Sequence, residues 1–259
     1  MSVQKSWSEL QTMARACRIV VETLDLLEAA AQPGVTTKQL DRVAREAIVK
    51  AGARPAFLGY RDYPATLCIS VNEEIVHGIP GPKKLREGDI VGLDLGCIVD
   101  GFYGDAARTV AVGRASAEAE RLMQVTREAL FAGIEMCHPG KRVGDIGHAV
   151  QTHAESFGYS VVKDFVGHGI GTSLHEEPQV PNYGPAGRRE RLVPGMCLAI
   201  EPMVNVGRPE VEVLADGWTA VTRDGSLSAH FELSVAVTEF GPWILSEPYP
   251  YGREEAANA

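Results

Sequence analysis

Two aspartates that flank a short turn have the clearest chemical potential in this chain. Asp94 and Asp105 stand on either side of Asp100-Gly101, a residue pair typical of a two-residue hairpin loop. That loop sets a register in which Asp94 lies opposite Ala107 and Asp105 lies opposite Gly96. Diagonal neighbours of this kind are roughly 7–8 Å apart at the backbone, so the two carboxylates can reach one point. Because like charges that close repel unless a proton or a cation lies between them, the hairpin predicts a metal site.

Three further candidate ligands stand in the second half of the chain. His168 lies between glycines directly after a predicted strand, and glycines there allow close approach of the backbone. Glu201 and Glu232 each interrupt an apolar strand sequence, where burying an unpaired carboxylate would cost several kcal/mol. Any one of these residues alone would more simply be a solvent-exposed or ion-paired side chain, but their coincidence with the aspartates favours a shared site.

The donor set limits the metal. Four carboxylates and one neutral imidazole balance the charge of two divalent cations. An oxygen-rich set with a single histidine suits Mn, Fe(II), Co or Zn in a dinuclear site, whereas a structural zinc site would use cysteine. We therefore expect two divalent ions, whose identity the residues leave open.

Composition places the chain among ordinary globular proteins. It has 259 residues, of which 45% are apolar and 23% charged, and a net charge of −9 that argues against nucleic acid as the main partner. The five scattered cysteines include no CxxC pair, and the sequence shows neither a signal peptide nor an apolar run long enough for a membrane span. We therefore expect a cytoplasmic protein.

Hydrophobic periodicity and capping signals predict an α+β fold. Helices are predicted over residues 8–30, 37–51, 117–138 and 143–157, and strands over 66–71, 90–95, 102–112, 160–165 and 196–204, with a last hairpin near 218–238 around Asp224-Gly225. The order helix, helix, strands thus occurs twice. A short echo accompanies it, because Gly88 and Gly195 each precede a candidate ligand by six residues. Two such matches also arise by chance, so these residues alone leave a duplication open.

Several longer motifs resemble the type I methionine aminopeptidases in their short bacterial form. The motifs are Cys68-Ile-Ser-Val-Asn-Glu-Glu-Ile-Val-His77-Gly-Ile-Pro80, Gly167-His168-Gly-Ile-Gly171, His175-Glu-Glu-Pro-Gln-Val180, Ile200-Glu201-Pro-Met203 and Ser226-Leu-Ser-Ala-His-Phe-Glu232. The resemblance runs from about residue 7 to 247. It implies the pita-bread fold, a pseudo-twofold arrangement in which helices cover a curved antiparallel sheet. It supports a duplication with halves at about 7–113 and 115–247. Because no linker rich in Ser, Pro or Gly divides these halves, we expect a single catalytic domain over residues 1–259, with a loose tail at 250–259.

The resemblance further implies a reaction and roles for individual residues. Members remove the initiator methionine from nascent chains when the second residue is small, by attack of a metal-bridging hydroxide on the first peptide bond. By resemblance, Asp105 and Glu232 bridge two metals, Asp94 completes one ion, and His168 with Glu201 completes the other. His175 contacts the scissile carbonyl, His77 contacts the amide nitrogen, and Glu201 carries a proton to the leaving amine. The methionine pocket is implied to be formed by Tyr60, Tyr63, Cys68, Leu174 and Trp218.

Some residues depart from the family pattern. Gly96 stands where many members have a hydroxyl residue, and Leu233 stands where bacterial members often have histidine. His230 lies near the site but matches no ligand position, and the remaining histidines fall outside the motifs: His138, His148 and His153. A monomer is expected, with nascent N-termini as partners, docking near the ribosomal exit tunnel as a further partner, and no direct nucleic-acid or membrane binding.

Two alternative functions stay open at this point. Asp-Leu-Gly around Asp94 is also typical of the related prolidases and aminopeptidases P, which usually carry a separate N-terminal domain for which this chain has no room. A non-catalytic binding protein on the same scaffold is the other alternative. Such relatives typically lose ligands, whereas all five are present here.

Overall fold

A computed structural model describes residues 4–251 of the chain. The described residues form four α-helices, which we number in chain order: α1 Trp7–Ala30, α2 Thr37–Lys50, α3 Ala117–Ile134 and α4 Val143–Ser156. The predicted start signals are confirmed. The Thr36 hydroxyl accepts the Gln39 N–H while the Gln39 side chain accepts the Thr36 N–H, and Ser116 caps α3 through the Ala119 N–H.

Fifteen strands, mostly short, make up the rest of the regular structure within the described residues. They are β1 Arg54–Pro55, β2 Leu67–Val71, β3 Glu74–Val76, β4 Ile90–Val99, β5 Phe102–Ala111, β6 Ser160–Val161, β7 Gly167–Gly169, β8 Glu176–Val180, β9 Cys197–Ile200, β10 Met203–Asn205, β11 Val211–Val213, β12 Ala220–Thr222, β13 Ser228–His230, β14 Glu232–Val237 and β15 Pro242–Ile244. A short 3₁₀ turn, Tyr60–Asp62, follows β1.

Three strand predictions differ from the structure. The strand predicted over 160–165 is limited to β6, Ser160–Val161. The strand predicted over 196–204 is divided at Glu201 into β9 and β10, because Pro202 has no N–H to donate to a ladder. The hairpin predicted around Asp224-Gly225 is wrong, since β12 and β13 pair in different sheets. The Asp224 carboxylate accepts the N–H groups of Arg208 and Ser226, at 2.7 and 3.0 Å, so this turn is held to another loop rather than closing a ladder.

A nine-stranded antiparallel sheet forms the centre of the molecule. Its strand order is β1-β4-β5-β14-β9-β7-β8, with β2 also paired to β4 and β15 to β14. Helices α1 and α2 pack on the β2–β4–β5 part through one apolar cluster, and α3 and α4 pack on the β9–β14 part through others. The two central strands, β5 and β14, therefore come from different halves of the chain.

The two halves repeat the same backbone connections, which gives the fold its pseudo-twofold character. Leu85 exchanges hydrogen bonds with residues 34–35, just before α2, and Leu192 does the same with residues 140–141, just before α4, all at 2.8–3.0 Å. The N–H groups of Gly88 and Gly195 each donate at 2.9 Å to the end of a central strand. Both glycines have positive φ, near 89° and 87°, a conformation that other residues rarely adopt. The short sequence echo thus marks equivalent turns.

Helix α1 lies against the sheet at Gly104. A Cβ at this position would stand 2.5 Å from the Cys17 nitrogen, so only glycine allows the helix backbone this close. At the other end of the described chain, Tyr251 donates its hydroxyl hydrogen to the Pro242 carbonyl at 3.0 Å, and the rest of the predicted tail lies outside the described residues. None of the described helices is long and apolar enough to cross a membrane.

Candidate metal centre and active site

Three carboxylates meet on one face of the central sheet. The predicted hairpin register is confirmed, with Asp94 opposite Ala107 and Asp105 opposite Gly96. Glu232 pairs with Ala107 from the other side, through the β5–β14 ladder. Since directly opposite residues, and residues two apart on one strand, project from the same face, Asp94, Asp105 and Glu232 point into one space.

His168 and Glu201 come to this space from the neighbouring ladder. His168 on β7 pairs with Ala199 on β9, and Glu201 follows two residues later on the same face. The His168 Nε2 atom lies 3.4 Å from Oε1 of Glu201. The opposite nitrogen, Nδ1, donates to the Gly169 carbonyl at 2.9 Å, which assigns the proton to Nδ1 and leaves the Nε2 lone pair facing the acids.

The electrostatics of this group call for a cation. Burial raises the pKa of Asp94 to about 7, and burial together with the neighbouring acids raises the pKa values of Asp105, Glu201 and Glu232 well above their usual range. Burial lowers the pKa of His168 to about 3, so its imidazole is neutral near pH 7. One oxygen each of Asp94, Asp105 and Glu232 is buried without a hydrogen-bond partner.

These donors fit divalent metal ions. One ligand atom each from Asp105, His168 and Glu232 lies within 4.8 Å of the other two, close enough to share an ion. Partnerless carboxylate oxygens beside a neutral imidazole are the ligands that Mn, Fe(II), Co and Zn accept. The structure therefore brings together all five residues predicted from the sequence as ligands.

The acid cluster is the floor of a small cavity of about 160 Å³. All seven residues predicted to contact substrate line this cavity together with the five candidate ligands: Tyr60, Tyr63, Cys68, His77, Leu174, His175 and Trp218. Two lining residues were missed, Phe57 and Arg61. Neither has a sequence signal of its own, because Phe57 reaches the site through packing and Arg61 through a left-handed turn with φ of 47°.

The apolar wall is held rigidly. The Tyr63 hydroxyl donates to the backbone carbonyls of Leu67 and Gly78, at 3.0 and 2.9 Å, and its ring meets Trp218 edge-on with centroids 5.0 Å apart. The backbone N–H of Trp218 donates to the Asp216 carboxylate at 2.9 Å. Burial raises the pKa of the Cys68 thiol well above its usual value, so this residue presents a neutral, polarizable surface. These contacts therefore form a closely packed apolar wall on one side of the cavity.

Two histidines face the cavity from opposite sides. The Tyr60 hydroxyl lies 2.7 Å from Nδ1 of His175, whose ring centroid is 4.2 Å from that of His168. Burial lowers the pKa of His175, and the nearby Arg61 lowers it further. His77 has a left-handed backbone with φ of 62°, and burial lowers its pKa to about 4. Both rings are thus neutral near pH 7 and can exchange hydrogen bonds with a substrate.

The remaining histidines lie away from the cavity lining. His153 contacts Glu128, His148 contacts the Gly184 carbonyl, and His138 lies against Gly241. His230 is buried, with Nε2 3.9 Å from Oε2 of Glu201.

The two departures from the family pattern have clear surroundings. A Cβ at Gly96 would lie 2.8 Å from a ring carbon of Phe57, so Phe57 occupies the space that a hydroxyl side chain would need. Leu233 packs against both of the apolar clusters that flank the central sheet. At both positions, apolar side chains therefore pack where the family pattern has a polar residue.

The chain is similar to known metallopeptidases along almost its whole length. The model of metallopeptidase family M24 matches residues 11–239. The chain is 52% identical to the methionine aminopeptidase of Clostridium acetobutylicum over 247 residues, covering 95% of this chain and 99% of that protein. It is 48% identical to methionine aminopeptidase 1 of Bacillus subtilis over 246 residues, with the same two coverages.

Solved structures agree with the sequence comparison. Methionine aminopeptidase from Thermotoga maritima superposes with a TM-score of 0.94 at 45% identity, covering 96% of this chain and all of that one. The prolidase from Pyrococcus furiosus has a TM-score of 0.76 at 21% identity over 66% of its length, which shows a shared fold alone. This chain belongs to metallopeptidase family M24, among the short bacterial methionine aminopeptidases.

Proposed function

We propose that this protein removes the N-terminal methionine from new polypeptides when the second residue is small. The observation that carries the proposal is that the five candidate donors line one cavity of about 160 Å³ together with an apolar wall, and that ligand atoms of three of them lie within 4.8 Å of one another. A peptide that enters this cavity side chain first places its first peptide bond beside the donors. The names of the relatives at about 50% identity support the same activity.

The proposed metal centre uses the five donors described above. Two divalent ions are proposed: Asp105 and Glu232 would help to hold both, Asp94 would complete one, and His168 with Glu201 would complete the other. Such ions, when bound, lower the pKa of water so that a nucleophile forms near neutral pH, and they polarise the substrate carbonyl. The charge of the four carboxylates balances two dications.

The remaining steps are assigned to side chains of the chain itself. The Tyr60 hydroxyl lies 2.7 Å from Nδ1 of His175, and in the tautomer that we propose it donates to Nδ1, so that the imidazole proton is on Nε2 and can be donated to the carbonyl oxygen. His77, fixed by edge contacts with Phe165 and Trp218, is positioned to accept from the substrate amide. Glu201, whose pKa burial raises, can hold a proton and pass it to the leaving amine.

Selectivity for methionine follows from the shape of the wall. The Tyr63 side chain is held by hydrogen bonds to two backbone carbonyls and packs edge-on against the Trp218 ring, so we propose that this part of the wall resists widening for a branched side chain. Cys68 and Leu174 provide soft apolar contact for a thioether. A small second residue is proposed on family grounds, and the chain's own start, Met-Ser, is then a candidate substrate.

Tripeptide hydrolysis tests the proposal. The purified protein, loaded with Mn²⁺ or Co²⁺, is assayed against Met-Ala-Ser, Met-Leu-Ser and Ala-Pro. We expect rapid release of methionine from Met-Ala-Ser, slow release from Met-Leu-Ser and no cleavage of Ala-Pro. Cleavage of Ala-Pro without cleavage of Met-Ala-Ser would assign the prolidase activity instead, and binding without cleavage of any peptide would assign a non-catalytic role.

The setting of the reaction is proposed from other features. The five cysteines are all buried and free of disulfides, which supports a reducing cytoplasm. The central sheet and the donor set draw on both halves of the chain, which supports a single catalytic domain acting as a monomer.

Docking near the ribosomal exit tunnel is proposed from a local excess of cations. Backbone hydrogen bonds bring residues 141–144 against residues 188–192, and this surface carries five basic side chains: Lys141, Arg142, Arg188, Arg189 and Arg191. The chain as a whole has a charge of −9, so this surface has the opposite sign. Cosedimentation with ribosomes at low salt, lost in a variant with Arg188, Arg189 and Arg191 changed to Glu, would support it, and equal cosedimentation of both proteins would refute it.

A further inference from the structure

The segment before the first helix reaches across the molecule to the loop that carries His175. The Lys5 ammonium donates at 2.5 Å to Oε2 of Glu176, 171 residues later, and both side chains are largely buried. The Lys5 N–H donates to the Gly195 carbonyl at 2.7 Å, and the next residue, Ser6, is the N-cap of α1. The backbone of Lys5 is therefore fixed by the sheet on one side and by the helix on the other.

The other oxygen of Glu176 holds the loop itself. Oε1 accepts the N–H groups of Thr172 and Ser173, at 2.8 and 3.2 Å. This loop continues directly into Leu174 and His175, which line the cavity. A carboxylate that accepts two backbone N–H groups through one oxygen and an ammonium through the other has one available orientation. The conformation of the loop is therefore set by Glu176, which does not itself line the cavity.

Gly171 provides the space that this arrangement needs. A Cβ at Gly171 would overlap the Lys5 side chain and would stand 2.7 Å from Oε1 of Glu176. The carbonyl of Gly171 in turn accepts the Tyr103 N–H at 2.8 Å, which ties the same loop to β5. The lysine, the carboxylate and the loop backbone thus form one close-packed unit.

We infer that Lys5 and Glu176 are positioning residues for His175. Together they hold the loop 171–175 so that the His175 ring stands against Tyr60 and His168 with Nε2 facing the substrate carbonyl. The inference rests on the proposed function, because it assigns Lys5 and Glu176 a role that acts through His175. It also has a purely structural part, the order of the loop, which can be measured without any substrate.

Amide hydrogen exchange tests the structural part. In Lys5→Met, the amides of Thr172 and Ser173 should exchange at least about tenfold faster than in the unchanged protein, because the carboxylate that accepts them is no longer held. The matched control is Lys83→Met, which removes a half-exposed lysine–glutamate pair of 2.7 Å elsewhere. Unchanged exchange at Thr172 and Ser173 in Lys5→Met would overturn the inference, whatever the enzyme is found to hydrolyse.

A double-mutant cycle tests the action through His175. Lys5→Met should lower kcat on Met-Ala-Ser by about 10- to 100-fold with little change in KM and with unchanged metal content, since only the loop is misplaced. In the His175→Ala background the same substitution should have almost no further effect on kcat. A loss of equal size in both backgrounds would show a merely structural role and refute the inference. Failure of the unchanged enzyme to cleave Met-Ala-Ser would instead refute the proposed function.

A second variant guards against loss of folding. Lys5→Met leaves the Glu176 charge buried without its partner, which can destabilise the protein. The double substitution Lys5→Met with Glu176→Gln leaves no unpaired charge, so it should unfold at nearly the temperature of the unchanged protein. It should still show faster exchange at Thr172 and lower kcat, and normal values for both would contradict the inference.

Discussion

The Nε2 atom of His168, on β7, lies 3.4 Å from Oε1 of Glu201, which directly follows the neighbouring strand β9. The His168 proton is on Nδ1, where the Gly169 carbonyl accepts it, so the nitrogen that faces Glu201 carries a lone pair rather than a hydrogen. A lone pair and a carboxylate oxygen at this distance repel unless a proton or a cation joins them. The pair is therefore arranged for an ion.

Asp105→Asn should abolish both metal binding and turnover. The substitution keeps the size of the side chain but removes a charge that is 4% exposed and has a partnerless oxygen facing the other donors. Metal titration of the apoprotein by calorimetry, followed by a Met-Ala-Ser assay, measures both effects. Asp100→Asn, at the exposed turn of the same hairpin, is the control and should behave like the unchanged protein. Normal metal stoichiometry in Asp105→Asn would refute its assignment as a ligand.

His175→Ala should keep the metal and lose about 10²- to 10³-fold in kcat, as removal of one oxyanion donor typically does. The reason is that His175 lines the cavity and faces His168 without belonging to the donor cluster. Tyr60→Phe should show a smaller loss, because it removes only the 2.7 Å contact that orients the ring. Steady-state kinetics on metal-loaded protein, with His148→Ala as the surface control, measures both. Unchanged kcat in His175→Ala would exclude the proposed role.

Leu174→Ala should relax the selectivity for methionine. Leu174 is 3% exposed and packs with Cys68 in the cavity wall, so its loss enlarges the slot. The ratio of kcat/KM for Met-Ala-Ser to that for Leu-Ala-Ser should fall by about tenfold, the usual value of a few methylene contacts in an apolar pocket. Leu214→Ala, at an exposed leucine, is the matched control. An unchanged ratio in Leu174→Ala would place the methionine side chain elsewhere.

Gly96→Ser should destabilise the protein by about 1–3 kcal/mol, the typical cost of overpacking a core. A Cβ at this position would lie 2.8 Å from a ring carbon of Phe57 and 3.0 Å from the Cβ of Ala56, so both buried side chains must shift to make room. Chemical denaturation measures the change in the free energy of unfolding. Gly81→Ser is the control, since a Cβ there meets nothing closer than 4.0 Å. The companion change Phe57→Ala should recover part of the loss, and no recovery would contradict this account.

The stability of the apoprotein should fall as the pH rises from 6.5 through about 7, the value to which burial raises the pKa of Asp94. Burial raises the pKa values of Asp105, Glu201 and Glu232 in the folded state, so their contribution is present at low pH and is lost as the pH rises through those values. The cavity histidines have lowered pKa values, so they change the stability only below the usual value of 6.5 and do not act in this window.

Denaturation of metal-free protein at several pH values measures this dependence. Saturating Mn²⁺ should remove it, because the bound ions hold the carboxylates in their charged form in the folded state. A free energy of unfolding that rises with pH in the apoprotein would show that the acids are already neutralised by other groups.

The parts of the site that the sequence predicts are those set by local rules. A two-residue Asp-Gly loop fixes the hairpin register, so the shared face of Asp94 and Asp105 follows from counting. The capping box at Thr36 is likewise local. The strand contexts of His168, Glu201 and Glu232 mark them as further candidate ligands, and the family motifs extend the prediction to His77, His175 and the cavity wall.

The parts that escaped prediction depend on contacts between distant segments. Phe57 fills the space beside Gly96, and Lys5 meets Glu176 across 171 residues, without any periodic pattern to announce them. The Asp224-Gly225 turn has the residues of a hairpin, but the Asp224 carboxylate bonds to another loop and sends the flanking strands to separate sheets. Local propensity is overridden wherever a side chain finds a partner far along the chain.

The adjacency of β5 and β14 has a consequence for the lifetime of the molecule. These strands form the seam between the two halves, and Asp105 and Glu232 face each other across it. An ion bound there would hold the two halves of the chain together as well as serve the reaction, because it would cancel the repulsion between carboxylates of the two halves. When metal is scarce, both the amount of folded protein and its activity would then fall.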